Sequence, residues 1–342
     1  MIRDIEKTIE DFFPSKWRGK DVIFWMGKPR FDIDIETLNH SLNVPIRDFI
    51  LRGGKRWRPV LFLTVLKLFG LNYKKYFNFA FFVECIHNGT LVVDDIEDDA
   101  ILRRGKPCLH KTFGTDTAIN AGNAMYFLPL KILLKKKNLT NGQKIRLMDI
   151  YCEEMINVHF GQSLDIDWHK NPKSNINISE YMEMCRLKTG SLARMSIRFA
   201  CVLANKSRKI EKAYGKFAES VGIAFQIKDD ILDLTGDKKF GKSFGNDITE
   251  GKFSLPVIFA LKNLEKDKKE NLLKILKLHT RNIREIKEAI KIIKESKAVE
   301  KSMNYADRLG ALAWNELERY IPKNETRKEL AEITGFLTKR DH

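Results

Sequence analysis

The chain has 342 residues, 43% of them hydrophobic, and a formal net charge of +16, enough apolar mass for a substantial core in one or two domains. Its lysines are scattered as on a solvated surface, with no base-stacking or zinc-finger signature beside them, so nucleic acid is not an expected partner. Five widely spaced cysteines without a CxxC pair read as free thiols in a reducing cytoplasm, and no run of ~18 apolar residues supports a membrane span. In chain order, Ile2, Ile5, Ile9, Phe12 and Phe13 recur at helical spacing, while residues 21–34, with Gly27 and Pro29, read as an irregular connection. Helical period returns from Ile35 to Leu51 and stops at Gly53-Gly54; Pro59 then stands near the start of a long apolar helix. A further helix is expected from about Tyr73 to Asp99, and Arg103–Thr115 reads as loop. Helices follow over Thr117–Lys136 and, behind a capping-box spacing at Thr140–Gln143, as far as about Asp167. Asn171–Asn177 is the best candidate for a domain boundary, Ser179 is a good N-cap, and Phe217–Leu234 is a strongly apolar helix. Thr235–Lys252, punctuated by glycines, reads as a flexible lid, and from Ser254 amphipathic helices alternate with short turns. With no strand pattern of useful length, the expected fold class is all-α, one large helical bundle over residues 1–342.

Two stretches carry unusual chemistry. Leu91–Gly105 reads LVVDDIEDDAILRRG, and on a helix Asp94 and Asp98 lie one turn apart on one face with Asp95 alongside. Asp229, Asp230 and Asp233 repeat that spacing within FQIKDDILD. Carboxylates next to an apolar wall repel one another unless a cation compensates them. A single DDxxD is more often a solvated acidic face. Here Leu91, Val92 and Val93 precede one cluster and Phe225 and Ile227 the other, which places both on mostly buried helices. Hard carboxylate oxygens suit Mg²⁺, which keeps room in its shell for phosphate oxygens. Cations flank the clusters: GGKRWRP sets Lys55 and Arg58 behind a glycine pair, Arg103 and Arg104 follow the first cluster, and Lys188, Lys242 and Lys252 occur later. Together they suit two phosphate-bearing ligands.

The ordered motifs GGKRWRP, HNGTLVVDDIEDDAILRRGKP, GQSLD, LKTG, FQIKDDILD and GKSFGNDITEGK resemble those of the trans-isoprenyl diphosphate synthases of the polyprenyl synthetase family, over roughly Gly53 to Pro256. The resemblance implies a helical bundle around a deep cavity, in a homodimer, cytoplasmic and without a membrane span. It implies Mg²⁺, three ions per site with Mn²⁺ as a substitute, held by Asp94, Asp98 and Asp229 and supported by Asp95, Asp230 and Asp233. It assigns Arg103, Lys188, Lys252 and Lys242 to the allylic diphosphate, and Lys55, Arg58, His87 and Arg104 to isopentenyl diphosphate. Thr189 and Gln226 would line the place where the allylic cation develops.

The reaction so implied is ionisation of the allylic diphosphate, attack by the double bond of isopentenyl diphosphate, and proton loss. Gly89 and Thr90, five and four residues before Asp94, are small; on a cavity wall they would leave room for a product of geranylgeranyl length or longer, and Gly89→Phe would shorten it. The alternatives are a farnesyl diphosphate synthase and a non-catalytic subunit of a heteromeric synthase, the latter usually lacking aspartates or cations that are present here. A terpene cyclase would lack the GGKRWRP cations.

Overall fold

A computed structural model of the protein describes residues 1–171, 176–236 and 245–338. These residues pack as two compact units, Met1–Leu147 and Met148–His342. The division falls inside a helix and not at Asn171–Asn177, where the sequence suggested a boundary.

The first unit contains α1 (Ile2–Phe12), α2 (Gly19–Met26), α3 (Ile35–Leu38), a π-helical turn at Asn39–Asn43, α4 (Val44–Ile50), α5 (Trp57–Leu68), a 3₁₀ turn at Tyr73–Tyr76 and α6 (Phe77–Glu97). A hairpin of β1 (Leu102–Arg103) and β2 (Lys106–Pro107) follows, then α7 (Leu109–Phe113), α8 (Thr115–Phe127) and α9 (Leu130–Lys135). Helix α6 is the axis of this unit; α1, α5, α8 and α9 all pack against it. Its first half, with Phe79, Phe81, Phe82, Val83 and Ile86 fully buried, leaves no polar stripe for solvent. The irregular connection expected over residues 21–34 is instead helical as far as Met26. Phe24 and Trp25 pack on Phe12, with ring centroids 6.0 and 5.5 Å away, and Gly27 at φ 92° ends the helix. The helix expected over Thr117–Lys136 is broken around Pro129, whose ring nitrogen has no N–H to give.

Helix α10 (Asn141–Lys170) starts in the first unit and runs on through the second. Its capping box forms as expected: Gln143 N–H donates to Thr140 Oγ1 at 3.1 Å and Thr140 N–H to Gln143 Oε1 at 3.1 Å. The second unit continues with α11 (Ile178–Leu203), α12 (Arg208–Thr235), α13 (Asn246–Thr249), α14 (Leu255–Asn263), α15 (Lys266–Lys277), α16 (Ile283–Glu295), α17 (Ala298–Glu318) and α18 (Thr326–Thr338). Helix α11 is capped by Asn177 and Glu180 rather than by Ser179. Helices α11 and α12 pack along each other, and α17 and α18 cover α12. Buried charge ties this unit together: Glu154 of α10 is fully buried and accepts from Arg194 Nε at 2.8 Å and Arg198 Nη1 at 2.6 Å, while Arg198 Nε donates to Glu211 at 3.1 Å. Breaking such a pair would strand a buried charge, so the network locks three helices in one register.

Candidate active site

In the first unit the acidic set stands at the C-terminal end of α6. Asp94 and Asp98 are half-buried one turn apart, and Asp95 is completely buried. Asp95 Oδ1 accepts from Arg103 Nε at 2.7 Å, and Arg103 Nη2 lies 3.7 Å from Asp94 Oδ2. Burial pushes the Asp95 carboxyl upward and the Arg103 guanidinium draws it back. Beside it, burial together with Asp95 raises the Cys108 thiol to about 12, so that thiol stays protonated at neutral pH.

The hairpin decides where the two adjacent arginines go. Arg103 pairs with Lys106 across a two-residue turn, and the turn residues Arg104 and Gly105 both have positive φ, 55° and 75°, as a type I′ turn requires. Arg103 therefore turns to the carboxylates, while Arg104 Nη1 donates to Asn88 Oδ1 at 3.0 Å.

Asn88 belongs to a second, basic set built on the preceding turns of α6. Its Nδ2 donates to Glu84 Oε1 at 2.8 Å, and the same carboxylate oxygen accepts from Arg56 Nη1 at 2.6 Å. Arg58 Nη1 lies 3.2 Å from His87 Nε2, and its guanidinium covers the Trp57 ring at 4.4 Å. Burial first, then Arg58, Arg104, Arg56 and Arg103, holds His87 well below the usual imidazole range, so it is neutral. Burial also lowers Arg104 to about 10, only partly offset by Glu84. Lys55 is exposed at the entrance of α5. One buried carboxylate thus serves a crowd of guanidinium groups, an excess of positive charge suited to a phosphate.

In the second unit Lys188 Nζ pairs with Asp165 Oδ2 at 2.6 Å. The approach is tight: a Cβ on Gly161 would stand 2.3 Å from the Lys188 backbone nitrogen, so α10 and α11 touch there. Thr189 Oγ1 donates to Gln226 Oε1 at 2.9 Å, Gln226 Nε2 donates to Asp230 Oδ1 at 2.8 Å, and Tyr181 O–H donates to Asp230 Oδ2 at 2.6 Å. Asp233 accepts the backbone N–H groups of Asn246 and Asp247 at 3.1 and 3.0 Å, which fixes the turn leading to Lys252. Lys252 Nζ pairs with Glu250 at 2.5 Å. Lys242 and residues 237–244 of the expected lid lie outside the described residues.

Each triad of aspartates contains buried members, bonded to identifiable protein groups, and half-buried members. Asp95, Asp230 and Asp233 hold Arg103, Gln226 with Tyr181, and the 246–247 backbone. Asp94, Asp98 and Asp229 are the half-buried ones. Among the described residues no three acidic, histidine or cysteine side chains converge on one metal position; the donors themselves, all carboxylate oxygen, are of the kind a hard divalent cation takes. Burial, with Asp229 adding repulsion, raises Asp230 to about 6, and burial with Asp233 and Asp230 pushes Asp247 well up. Gly89 departs from expectation. Its Cα faces α8, where a Cβ would meet the Gly122 carbonyl oxygen at 2.8 Å and Met125 Cβ at 2.9 Å, so this face is a helix crossing. Thr90 donates to the His87 carbonyl at 2.8 Å. Arg56, Glu84, Asn88, Asp165 and Tyr181 received no role from sequence; Glu84 and Asn88, polar breaks in an apolar run, were the signal for two of them.

A helical fold carrying aspartate pairs beside guanidinium and ammonium groups defines a class of protein that handles diphosphates with divalent metal. The family model described as polyprenyl synthetase matches residues 39–293. A short chain isoprenyl diphosphate synthase from Methanocaldococcus jannaschii is 38% identical over 251 residues, 73% of this chain and 75% of that one. A geranylgeranyl pyrophosphate synthase from Geoglobus acetivorans is 34% identical over 297 residues, 86% of this chain and 90% of that one. The crystal structure of geranylgeranyl pyrophosphate synthetase from Pyrococcus horikoshii superposes with a TM-score of 0.83 at 29% identity, covering 99% of this chain and 96% of that one. The chain belongs to the polyprenyl synthetase family and is a prenyltransferase.

Proposed function

We propose that the protein condenses isopentenyl diphosphate with an allylic diphosphate, 1′ to 4, to give an all-trans prenyl diphosphate of geranylgeranyl length or longer. The observation that carries this reading is the pair of sites on α6: Asp94 and Asp98 with Arg103 at its end, and Arg56, Arg58, His87 and Arg104 one to two turns before. Two substrates of like charge need two separate anion sites, and the separate partners of Arg103 and Arg104 support one arginine at each.

Asp94, Asp98 and Asp229 are the carboxylates assigned to Mg²⁺, three ions per site, with Mn²⁺ able to substitute. When bound, Mg²⁺ supplies positive charge for the departing diphosphate. Arg103, Lys188, Lys252 and Lys242 bind that diphosphate and neutralise its charge as the C–O bond breaks. Lys55, Arg58 and Arg104, with neutral His87 as a hydrogen-bonding neighbour, hold isopentenyl diphosphate so that its double bond is the nearest nucleophile. Thr189 and Gln226, fixed in line by Asp230, present an uncharged oxygen-rich wall to the allylic cation. Thr90 rather than Gly89 is assigned to chain length, because the Gly89 face is closed by α8. The full chain, 1–342, acts as one catalytic domain in a cytoplasmic homodimer; the exposed Ile156 and Phe160, 58 and 65% exposed and one turn apart on α10, support a second copy as the partner.

The test is consumption of isopentenyl diphosphate with Mg²⁺ and, separately, dimethylallyl, geranyl and farnesyl diphosphate, with products sized by chromatography. Products of geranylgeranyl length or longer are expected, shortened in Thr90→Phe. No consumption with any primer would overturn the reading, and would favour a non-catalytic subunit.

A further inference from the structure

From Thr117 to Leu147 the chain has no Asp or Glu, while Lys131, Lys135, Lys136, Lys137, Lys144 and Arg146 all fall within it. In the structure part of this run is assembled with apolar groups from two other elements. Lys135 Nζ sits 4.6 Å from the centre of the Phe24 ring on α2, and Lys136 Nζ sits 5.9 Å from that of Tyr76 and 3.4 Å from the Lys75 carbonyl oxygen. Phe24 is itself anchored, edge-on to Trp25 at 4.8 Å. Around these contacts Ile23, Met26 and Leu134 stand 45, 55 and 61% exposed, and Lys74, Lys75, Lys135 and Lys137 are exposed beside them. The carboxylate of α2, Asp21, is turned back to accept the Arg18 N–H at 2.8 Å.

We propose that this face, formed by α2, the Tyr73–Tyr76 turn and α9, docks the protein on a membrane that carries anionic headgroups. Exposed aliphatic side chains ringed by lysines match both layers of such a surface: the lysines reach phosphate oxygens while Ile23, Met26 and Leu134 enter the headgroup–acyl boundary. A soluble acidic partner would satisfy the lysines and leave the three aliphatic groups without a match. Nucleic acid would stack on aromatic faces, and the two rings here are already covered by lysine. The place in the fold also fits. The Tyr73–Tyr76 turn leads directly into α6, so the patch lies at the end of α6 opposite Asp94, about 26 Å away at 1.5 Å per residue. On the proposed function, a hydrocarbon chain growing away from its diphosphate extends toward the bilayer that would receive it. That last point rests on the prenyltransferase reading; the docking itself does not.

The experiment is co-sedimentation of the full chain with vesicles of phosphatidylcholine alone and of phosphatidylcholine mixed with phosphatidylglycerol, alongside turnover in solution without vesicles. Binding to the anionic vesicles only is expected, and it should fall as ionic strength rises from about 0.1 M to about 1 M. Replacing Lys131, Lys135, Lys136 and Lys137 together by Gln should lower partitioning at least roughly a hundredfold, at about fivefold per cation. Ile23→Ser with Met26→Ser and Leu134→Ser should weaken binding while leaving circular dichroism and solution turnover as in the wild type. The proposal is overturned if the wild type does not sediment with anionic vesicles, if both variants bind as it does, or if the chain retains an RNA oligomer or polyglutamate and not vesicles. Loss of turnover with intact docking would count against the functional reading alone.

Discussion

At the scale of single residues, the basic set of α6 turns on Glu84. Its side chain is 3% exposed and its Oε1 receives both Arg56 and Asn88, which in turn orients Arg104. Glu84→Gln keeps the shape and removes the charge that balances a buried guanidinium. We expect a stability loss of roughly 3 kcal/mol, seen as a lower urea midpoint, and a raised KM for isopentenyl diphosphate with a smaller change for the allylic substrate. An unchanged KM would remove Glu84 from the site's support. His87 gives a pH dependence of known sign. Its folded pKa lies below its unfolded value of about 6.5, so the unfolded chain takes up the proton first. Its contribution to stability is present above that pH and is lost as pH falls through and below about 6.5. Urea midpoints measured across this range should fall less steeply in His87→Gln than in the wild type. The residue scale is also where sequence and structure part. The i, i+4 spacing of Asp94 and Asp98 on an apolar helix is legible in the sequence, and the structure places both half-buried at the end of α6. The commitments of Asp95 and Asp230 are not legible in the sequence, because their partners come from 8 and 49 residues away, Arg103 across the end of α6 and Tyr181 on another helix. A local pattern shows that carboxylates share a face; it does not show which of them a distant donor will occupy.

Among the elements, the α10–α11 contact at Gly161 sets the position of Lys188. Gly161→Ala drives a methyl into the Lys188 backbone, and overpacking of this kind costs about 1–3 kcal/mol. A calorimetric Tm should drop by several degrees, with kcat falling as Lys188 moves. Gly335→Ala on α18, where nothing lies within 4 Å of the new Cβ, is the control and should leave both unchanged or raise Tm slightly. Equal behaviour of the two variants would show that the contact does not position Lys188. The helices themselves were largely legible, because apolar period, Pro59 and the Thr140–Gln143 box are local signals. Helix α2 was not: Gly27, Pro29 and a run of aromatics argue against a helix locally, and packing of Phe24 and Trp25 on Phe12 overrides them. Gly89 failed for a related reason. A small residue four or five places before an aspartate can face a cavity or a neighbouring helix, and only the placement of Gly122 decides which.

For the whole molecule, the same argument applies to surfaces. The all-α class followed from periodicity alone, whereas the assembly of Lys135 and Lys136 with Phe24 and Tyr76, from distant parts of the chain, required the fold. The dimer expectation has a direct test. Replacing Phe160 by Glu, alone and with Ile156→Glu, places a charge where a second copy is expected to pack. Sedimentation velocity should then show monomer at concentrations where the wild type sediments as a dimer. A wild type that is monomeric, or a variant that stays dimeric, would move the interface elsewhere.

The Arg103–Lys106 hairpin has a consequence for how this chain tolerates change. Successive side chains of a strand point to opposite faces, so a slip of one residue exchanges every neighbour. Replacing Lys106 or Leu102 leaves Arg103 and Arg104 where they are. Deleting or inserting a single residue between them and Pro107 does not: the arginine aimed at Asp95 would swing toward Asn88 and its neighbour toward the carboxylates. Over these few positions the count of residues, more than their identity, keeps the two arginines on separate partners.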